Sequence, residues 1–214
     1  HYAKLAHPVY EIFGERVARE AARTKLGIPP EAPVILFFGY IRKYKGLDII
    51  LRAMPAMLKT LPDLRLIVAG EFYTDAEEYR SLITELGIPS ENLILATDYI
   101  PNDEVSTYFC AANVSVLPYR SATQSGIVQI AYNFDMPVIA TDVGGLAEVV
   151  IDGKSGLIAP VPTPEAVEAA VVRFFREGLE EPLTAGVRQE KQKYSWDTFV
   201  EGIEALAAGR AQRG

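Results

Sequence analysis

Along this chain, short and almost wholly apolar runs alternate with segments whose apolar residues recur at helical spacing. Residues 34–38, 66–69, 93–96, 114–117 and 138–140 are the apolar runs, with a weaker sixth at 157–159. Runs this apolar fit strands covered on both faces. Between them, Leu47, Ile50, Leu51, Met54, Met57 and Leu58 follow a helical period, as do Tyr79, Leu82, Ile83 and Leu86, and Val105, Tyr108, Phe109 and Ala112. Thr74 with Glu77 has the form of a capping box, Asn102 is a good N-cap residue, and Thr163 precedes a proline at a first helical position. Strand and helix in alternation with short links predict an α/β fold: a Rossmann-like, doubly wound parallel sheet of about six strands with helices on both faces. In such sheets ligands bind beyond the carboxyl ends of the strands, so the residues just after each strand carry the functional interest.

Three regions are expected. Residues 1–30 hold a linker and a first helix over 14–26, residues 31–181 form the Rossmann-like unit, and residues 182–214 supply C-terminal helices, the last capped by Ser195.

Composition removes several classes of function. The 214 residues are 49% hydrophobic and carry a formal net charge of -7 without a basic run, a poor match to nucleic acid. A single cysteine, Cys110, makes neither a disulfide framework nor a zinc site and agrees with a reducing, cytoplasmic setting; its apolar context suggests a buried small hydrophobe. No apolar run approaches the roughly 20 residues of a membrane span. The only histidines, His1 and His7, lie near the start, away from the sheet, so a histidine-based triad or metal cluster is not expected within it. Walker A, DxD and GxGxxG patterns are missing, the last arguing against an ordinary NAD domain.

Two loops stand out chemically. The first strand runs into FFGYIRKYKGLD, where Gly39 allows close backbone approach and Arg42, Lys43 and Lys45 offer positive charge to a diphosphate. A solvated basic turn is the competing explanation. After the fourth strand, Thr123, Gln124, Ser125 and Gly126 surround a helix start whose free N–H groups and dipole suit an anion, or which is simply capped by Ser125. Gly144 and Gly145 follow the fifth strand, either beside a ligand or as a tight turn. Tyr99, Ile100 and Pro101 offer a flat wall for a base and Glu104 an acceptor for a ribose hydroxyl, unless Ile100 is core and Glu104 solvated.

Taken together, FFGYIRKYKGLDIILRAM, LRLIVAGEF, LILATDYIPNDEVSTYFCAANVSVLPY, SGIVQIAYNFDMPVIATDVGGLAEVV and DGKSGLIAP resemble, in order, the C-terminal domain of GT-B glycosyltransferases of the large retaining family 4, over residues 33 to 205. The resemblance implies that Lys45, six residues after Gly39, binds the donor diphosphate together with the backbone of Ser125, Gly126 and Ile127, and that Tyr99 to Pro101 flank the nucleobase. It also implies a nucleoside-diphosphate-sugar donor, no metal cofactor, retention at the anomeric carbon, and an N-terminal acceptor-binding domain through which any membrane association would run. On this reading the chain is a fragment opening in the inter-domain linker and unable to complete transfer alone.

The sequence departs from that family in two places. Tyr40 stands where the family has arginine, with Arg42 or Lys43 as possible substitutes. The paired glutamates would fall at Ala122 and Ile130 and are missing, leaving Gln124 or Gln129 to meet sugar or ribose. An active branch with altered donor contacts, a degenerate non-catalytic binding domain and half of a sugar-nucleotide epimerase therefore all stay open, with catalytic residues unassigned.

Overall fold

The computed structural model describes residues 8–10 and 12–207; His1 and His7 lie outside them. Six strands, β1 (Val34–Phe38), β2 (Arg65–Ala69), β3 (Leu93–Ala96), β4 (Val114–Leu117), β5 (Val138–Thr141) and β6 (Gly156–Ala159), form one sheet in the order β3-β2-β1-β4-β5-β6. Every pairing is parallel. The chain winds outward from the β1–β4 pair in both directions, so the switch in strand order falls between those two strands. A crevice at their carboxyl ends is the natural ligand position.

Period-two alternation sorts the strand residues between two cores. Val34 and Leu36 of β1, with Ile67 and Val138, face a layer holding α4 (Val105–Ala111), α5 (Gly126–Asn133) and the short α6 (Leu146–Val149). Ile35 and Phe37, with Leu66, Val116 and Ile139, face α2 (Leu47–Thr60), α3 (Ala76–Glu85) and α7 (Pro164–Arg176). Burial of both faces explains why the strands read as unbroken apolar runs. The exception is β3, an edge strand, where Leu95 is exposed.

The ends of the chain join the first core. Ala22 of α1 (Arg19–Leu26), Val187 of α8 (Glu180–Glu190) and Tyr194 all pack there. Val9 N–H donates to Tyr194 O at 2.9 Å, so the first described residues run beside the last turns of the chain. The final helix, α9 (Trp196–Ala207), starts at Ser195 as expected: Thr198 N–H donates to Ser195 Oγ at 3.1 Å. Trp196, Val200 and Ile203 on it are exposed.

Three local expectations need correction. The first helix begins at Arg19, not at residue 14: Gly14 has φ +79°, and Ala18 is extended, so the preceding stretch cannot be helical. The cap of α3 is Asp75, whose carboxylate accepts from Glu77 N–H at 2.9 Å, one residue beyond Thr74. Asn102 does not cap α4; it opens a tight turn, Asn102–Glu104, that leads straight into the helix without a side-chain cap. Thr163 caps α7 as read, accepting from Ala166 N–H at 3.4 Å. Cys110 is half-buried rather than buried, and burial pushes its thiol up.

Asp135, just past α5, is the electrostatic knot of this assembly. It is 8% exposed and takes φ +52°, a conformation open to Asp and Asn. Its carboxylate accepts from Arg16 at 2.6 Å, from Arg188 at 3.1 Å and from Lys191, joining the N-terminal segment to α8 and the turn after it. Burial alone would push this carboxyl up. The hydrogen bonds and charges of Lys191, Arg188 and Arg16 outweigh it and hold the group below its ordinary range. A depressed carboxylate contributes stability above its unfolded-state pKa and loses it as pH falls through the folded value. Asp135→Asn keeps the backbone conformation and loses the charge. Urea unfolding at pH 7 is expected to show a loss of about 1–3 kcal/mol, and the difference from the unmutated protein should close as the acid limb is reached.

Candidate functional site

The loop after β1 is shaped by two glycines. Gly39 takes φ +94° as the strand ends. Residues Lys43–Lys45 then make a single tight helical turn, closed by Gly46 at φ +71°. A side chain on Gly46 would collide with Pro118 O at the end of β4. Only a glycine lets the basic turn lie this close to the neighbouring strand.

The second half of the site is the start of α5. Ser125 caps it, accepting from Ile127 N–H at 3.2 Å, and its Oγ lies 3.3 Å from the Tyr119 hydroxyl. The Tyr10 ring sits 3.2 Å from where a Gly126 Cβ would be. The glycine pair after β5 serves as a bearing surface. A Cβ on Gly144 would strike Ala122 O, and Gly145 N–H donates to Thr123 O at 3.1 Å. The segment 122–124 that leads into α5 is thus held from behind by backbone that no larger residue could supply.

These two halves meet at Gly39. A Cβ built there would stand 3.0 Å from Ile127 Cδ1 and 3.1 Å from Lys45 Nζ. The ammonium, the glycine and the first turn of α5 therefore border one point at the β1–β4 switch. Lys45 is 8% exposed. Burial, and then the charge of Arg42, push its pKa down to about 8 from the usual 10.5, and among the described residues no carboxylate offsets them. The nearest aromatic face is Tyr119, whose ring centre is 5.8 Å from Nζ. A cation stripped of water, with no anion beside it among the described residues, is costly, and at a strand-end crevice it marks a candidate binding site.

The remaining candidates separate by position. Arg42 lies over the Tyr73 ring at 4.9 Å and acts on Lys45, so it belongs to this locus. Lys43 points elsewhere, to Glu78 at 3.3 Å. Tyr40 is exposed and packs edge-on against Tyr73, with ring centres 4.5 Å apart. Tyr99 is also exposed, while Ile100 leans on the core. Glu104 pairs with Lys25 of α1 at 3.5 Å, which turns it toward the N-terminal helix. Gln124 is exposed beside Gly145. Gln129 is 6% exposed, and its Oε1 finds no hydrogen-bond donor among the described residues. Ile130 is core, and Ala122 is half-buried with its carbonyl against Gly144, so neither position offers a polar group.

Sequence reasoning passed over Tyr119, Arg120 and Tyr10. The first two follow β4 directly, so the strand-end rule alone pointed to them; Tyr10 came in only through the fold of the N-terminal segment. A cavity of about 700 Å³ opens at the opposite, amino end of the sheet, among Asn113, Asp135, Pro137 and Phe175. Its buried and half-buried carboxylates are answered: Asp135 takes Arg16 and Arg188, and Glu180 takes Arg19 and the Asn113 amide. Size apart, it lacks the uncompensated charge found at the carboxyl edge. Among the described residues no group of three His, Cys, Asp or Glu side chains could hold a metal ion, and no helix is long and apolar enough to cross a membrane.

At its switch point this doubly wound sheet sets a cation against a capped helix start, an arrangement suited to a phosphate. The chain belongs to the glycosyl transferases group 1 family, whose model matches residues 32–177. It is 32% identical over 202 residues to the D-inositol 3-phosphate glycosyltransferase of Acidothermus cellulolyticus, covering 88% of this chain and 45% of that protein. The chain spans about half the length of the curated relatives it matches. The fold is that of GT-B glycosyltransferase halves. Anabaena Alr3699/HepE in complex with UDP superposes with a TM-score of 0.79 at 16% identity, over 94% of this chain and 57% of that one. The C-terminal domain of the glycosyl transferase group 1 protein LpcC from Francisella tularensis gives 0.74 at 20% identity, over 87% of this chain and 97% of that one.

The state of Lys45 carries a stability prediction. Its folded pKa lies below the unfolded one, so between about pH 8 and 10.5 the unfolded chain binds more protons and stability rises with pH. Below that window the charged form opposes folding by roughly 3 kcal/mol at most. Lys45→Met is therefore expected to stabilise the protein by about 1–3 kcal/mol at pH 7, a gain that shrinks toward zero by about pH 10.5. Chemical denaturation across that range would check it; a destabilised Lys45→Met at pH 7 would contradict the charge argument.

Proposed function

We propose that this chain is the donor-binding half of a retaining, family 4 glycosyltransferase, taking a nucleoside-diphosphate sugar at the β1–β4 switch. The observation that carries the proposal is the buried, unpaired Lys45 ammonium meeting the amino end of α5 across Gly39. As the glycosidic bond breaks, the leaving diphosphate gains negative charge. Lys45, Arg42 and the N–H groups of Ser125 and Gly126, with that of Ile127 once it leaves Ser125 Oγ, would stabilise that charge where it develops, without a metal ion in the scheme. Tyr99 and Ile100 flank the base, while Gln124 and Gln129 stand in for the absent glutamates toward ribose or sugar; the unsatisfied Gln129 Oε1 supports this. Glu104 would have to leave Lys25 to reach a ribose.

An N-terminal half of the same protein would hold the acceptor, in a cytoplasmic enzyme. The Anabaena neighbour is a UDP complex and the curated relatives are named for a phosphorylated polyol acceptor, which makes a uridine nucleotide and an inositol phosphate the first substrates to try. One observation favours a second reading, binding without transfer: the apolar Ala122 and Ile130 leave no carboxylate at those positions.

Calorimetry with UDP-glucose, GDP-mannose and ADP-glucose tests the binding claim. One of them is expected to bind, and Lys45→Met to weaken it by about 100-fold, as loss of a charge-assisted contact in a buried site does. Because a bound diphosphate favours the ammonium, binding at pH 8 should take up about half a proton, and far less at pH 6. Heat from none of the three, or an unchanged affinity in Lys45→Met, would refute the assignment.

A further inference from the structure

Lys45 and the α5 start lie on separate loops, and a diphosphate bridging them needs their separation held. One residue does most of that holding. Arg120, three residues past the last residue of β4 on the path to α5, sends its backbone N–H to Tyr44 O at 2.7 Å. Its Nη1 donates to Lys43 O at 3.0 Å. The same guanidinium grips Asp48 with both nitrogens, at 2.8 and 2.6 Å. Asp48 lies in the first turn of α2, just after Gly46. Three connections thus reach the two residues before Lys45 and the helix turn after it. Among the described residues, no other side chain after β4 hydrogen-bonds to the loop after β1.

The arrangement is more than a stabilising ion pair. The two side chains are 44% and 29% exposed, and such pairs add little to folding on their own. The fork geometry instead supplies direction, because a planar guanidinium can satisfy a carboxylate and a carbonyl only in one pose. Burial alone would push Asp48 up; the hydrogen bonds and charge of Arg120 hold it below its usual range, so the pair stays ionised through neutral pH. Three of the five guanidinium donors are taken by Asp48 and Lys43, which fixes its plane against the loop after β1.

We propose that Arg120, locked to Asp48, is a positioning residue that sets the spacing between Lys45 and the amino end of α5 and thereby tunes the site to a diphosphate. This rests on the donor-binding reading above. Loosening the lock leaves Lys45 in place but lets the two halves drift, and a misplacement of about 1 Å is enough to cost binding and rate.

The test is a double-mutant cycle between Arg120→Met and Lys45→Met, read by calorimetry with UDP, GDP and ADP and by ligand-observed NMR with uridine, guanosine and adenosine. Arg120→Met is expected to weaken the preferred diphosphate by about 10-fold, to leave the nucleoside unchanged, and to lose its effect in the Lys45→Met background. Arg120→Lys should recover only part of the loss, because a point charge cannot make the fork. If Arg120→Met folds poorly, Asp48→Asn takes its place and should show the same diphosphate-selective loss. Equal losses for diphosphate and nucleoside, or effects that simply add to those of Lys45→Met, would overturn the proposal while leaving the donor site standing. A wild-type protein that binds no diphosphate overturns both.

Discussion

An ammonium group deprived of water and given no counter-ion is the feature on which this molecule turns. Such a group destabilises the fold that surrounds it. The surrounding architecture is arranged to hold that cost in place. Gly46 brings the basic turn against β4, Gly144 and Gly145 brace the segment entering α5, and Gly39 leaves open the space between Lys45 and Ile127. Each is a position where one added carbon would force backbone or ammonium aside. The glycines are therefore best understood as the shape of the pocket, written in the absence of side chains.

Much of the fold was legible in advance because its signals are local. All six strands are where apolar runs placed them, since double-sided burial leaves no other composition for a central parallel strand. Ser125, Thr163 and Ser195 were readable as caps because each precedes a clean helical period. Errors came where tertiary contacts override local preference. Gly14 bends against Asp103 and cuts the first helix short, and Asp75 outcompetes Thr74 by standing one residue nearer the turn. For the site, the strand-end rule singled out Gly39, Lys45 and Ser125, and the fold brought them together. What it could not supply was partnership. That Lys43 is spent on Glu78, Glu104 on Lys25 and Arg120 on Asp48 depends on residues 35 to 79 positions away, beyond the range of any local pattern.

Membership of the glycosyl transferases group 1 family and the chemistry of the pocket reinforce one another without being the same argument. The family match rests on the pattern of the whole sheet and its loops. The pocket rests on one cation, one helix end and the gap between them. Where this chain departs from the pattern the resemblance implies, at Tyr40, Ala122 and Ile130, the physical description still applies, because electrostatics does not require those particular side chains. The aromatic pair Tyr40–Tyr73 with Arg42 above it changes the texture of that rim from purely cationic to mixed, a difference that ligand choice would feel.

Helix α5 has a task at each end. Its first turn borders Gly39 and Lys45, and two residues beyond its last stands Asp135, gripped by cations from the N-terminal segment and from α8. Eight helical residues make a rod only about 12 Å long, too short to bend appreciably. The N-terminal segment and α8 are thereby bolted to one end of a stiff lever whose other end lies at the strand switch. Any displacement of either reaches Gly39 and Lys45 with little attenuation.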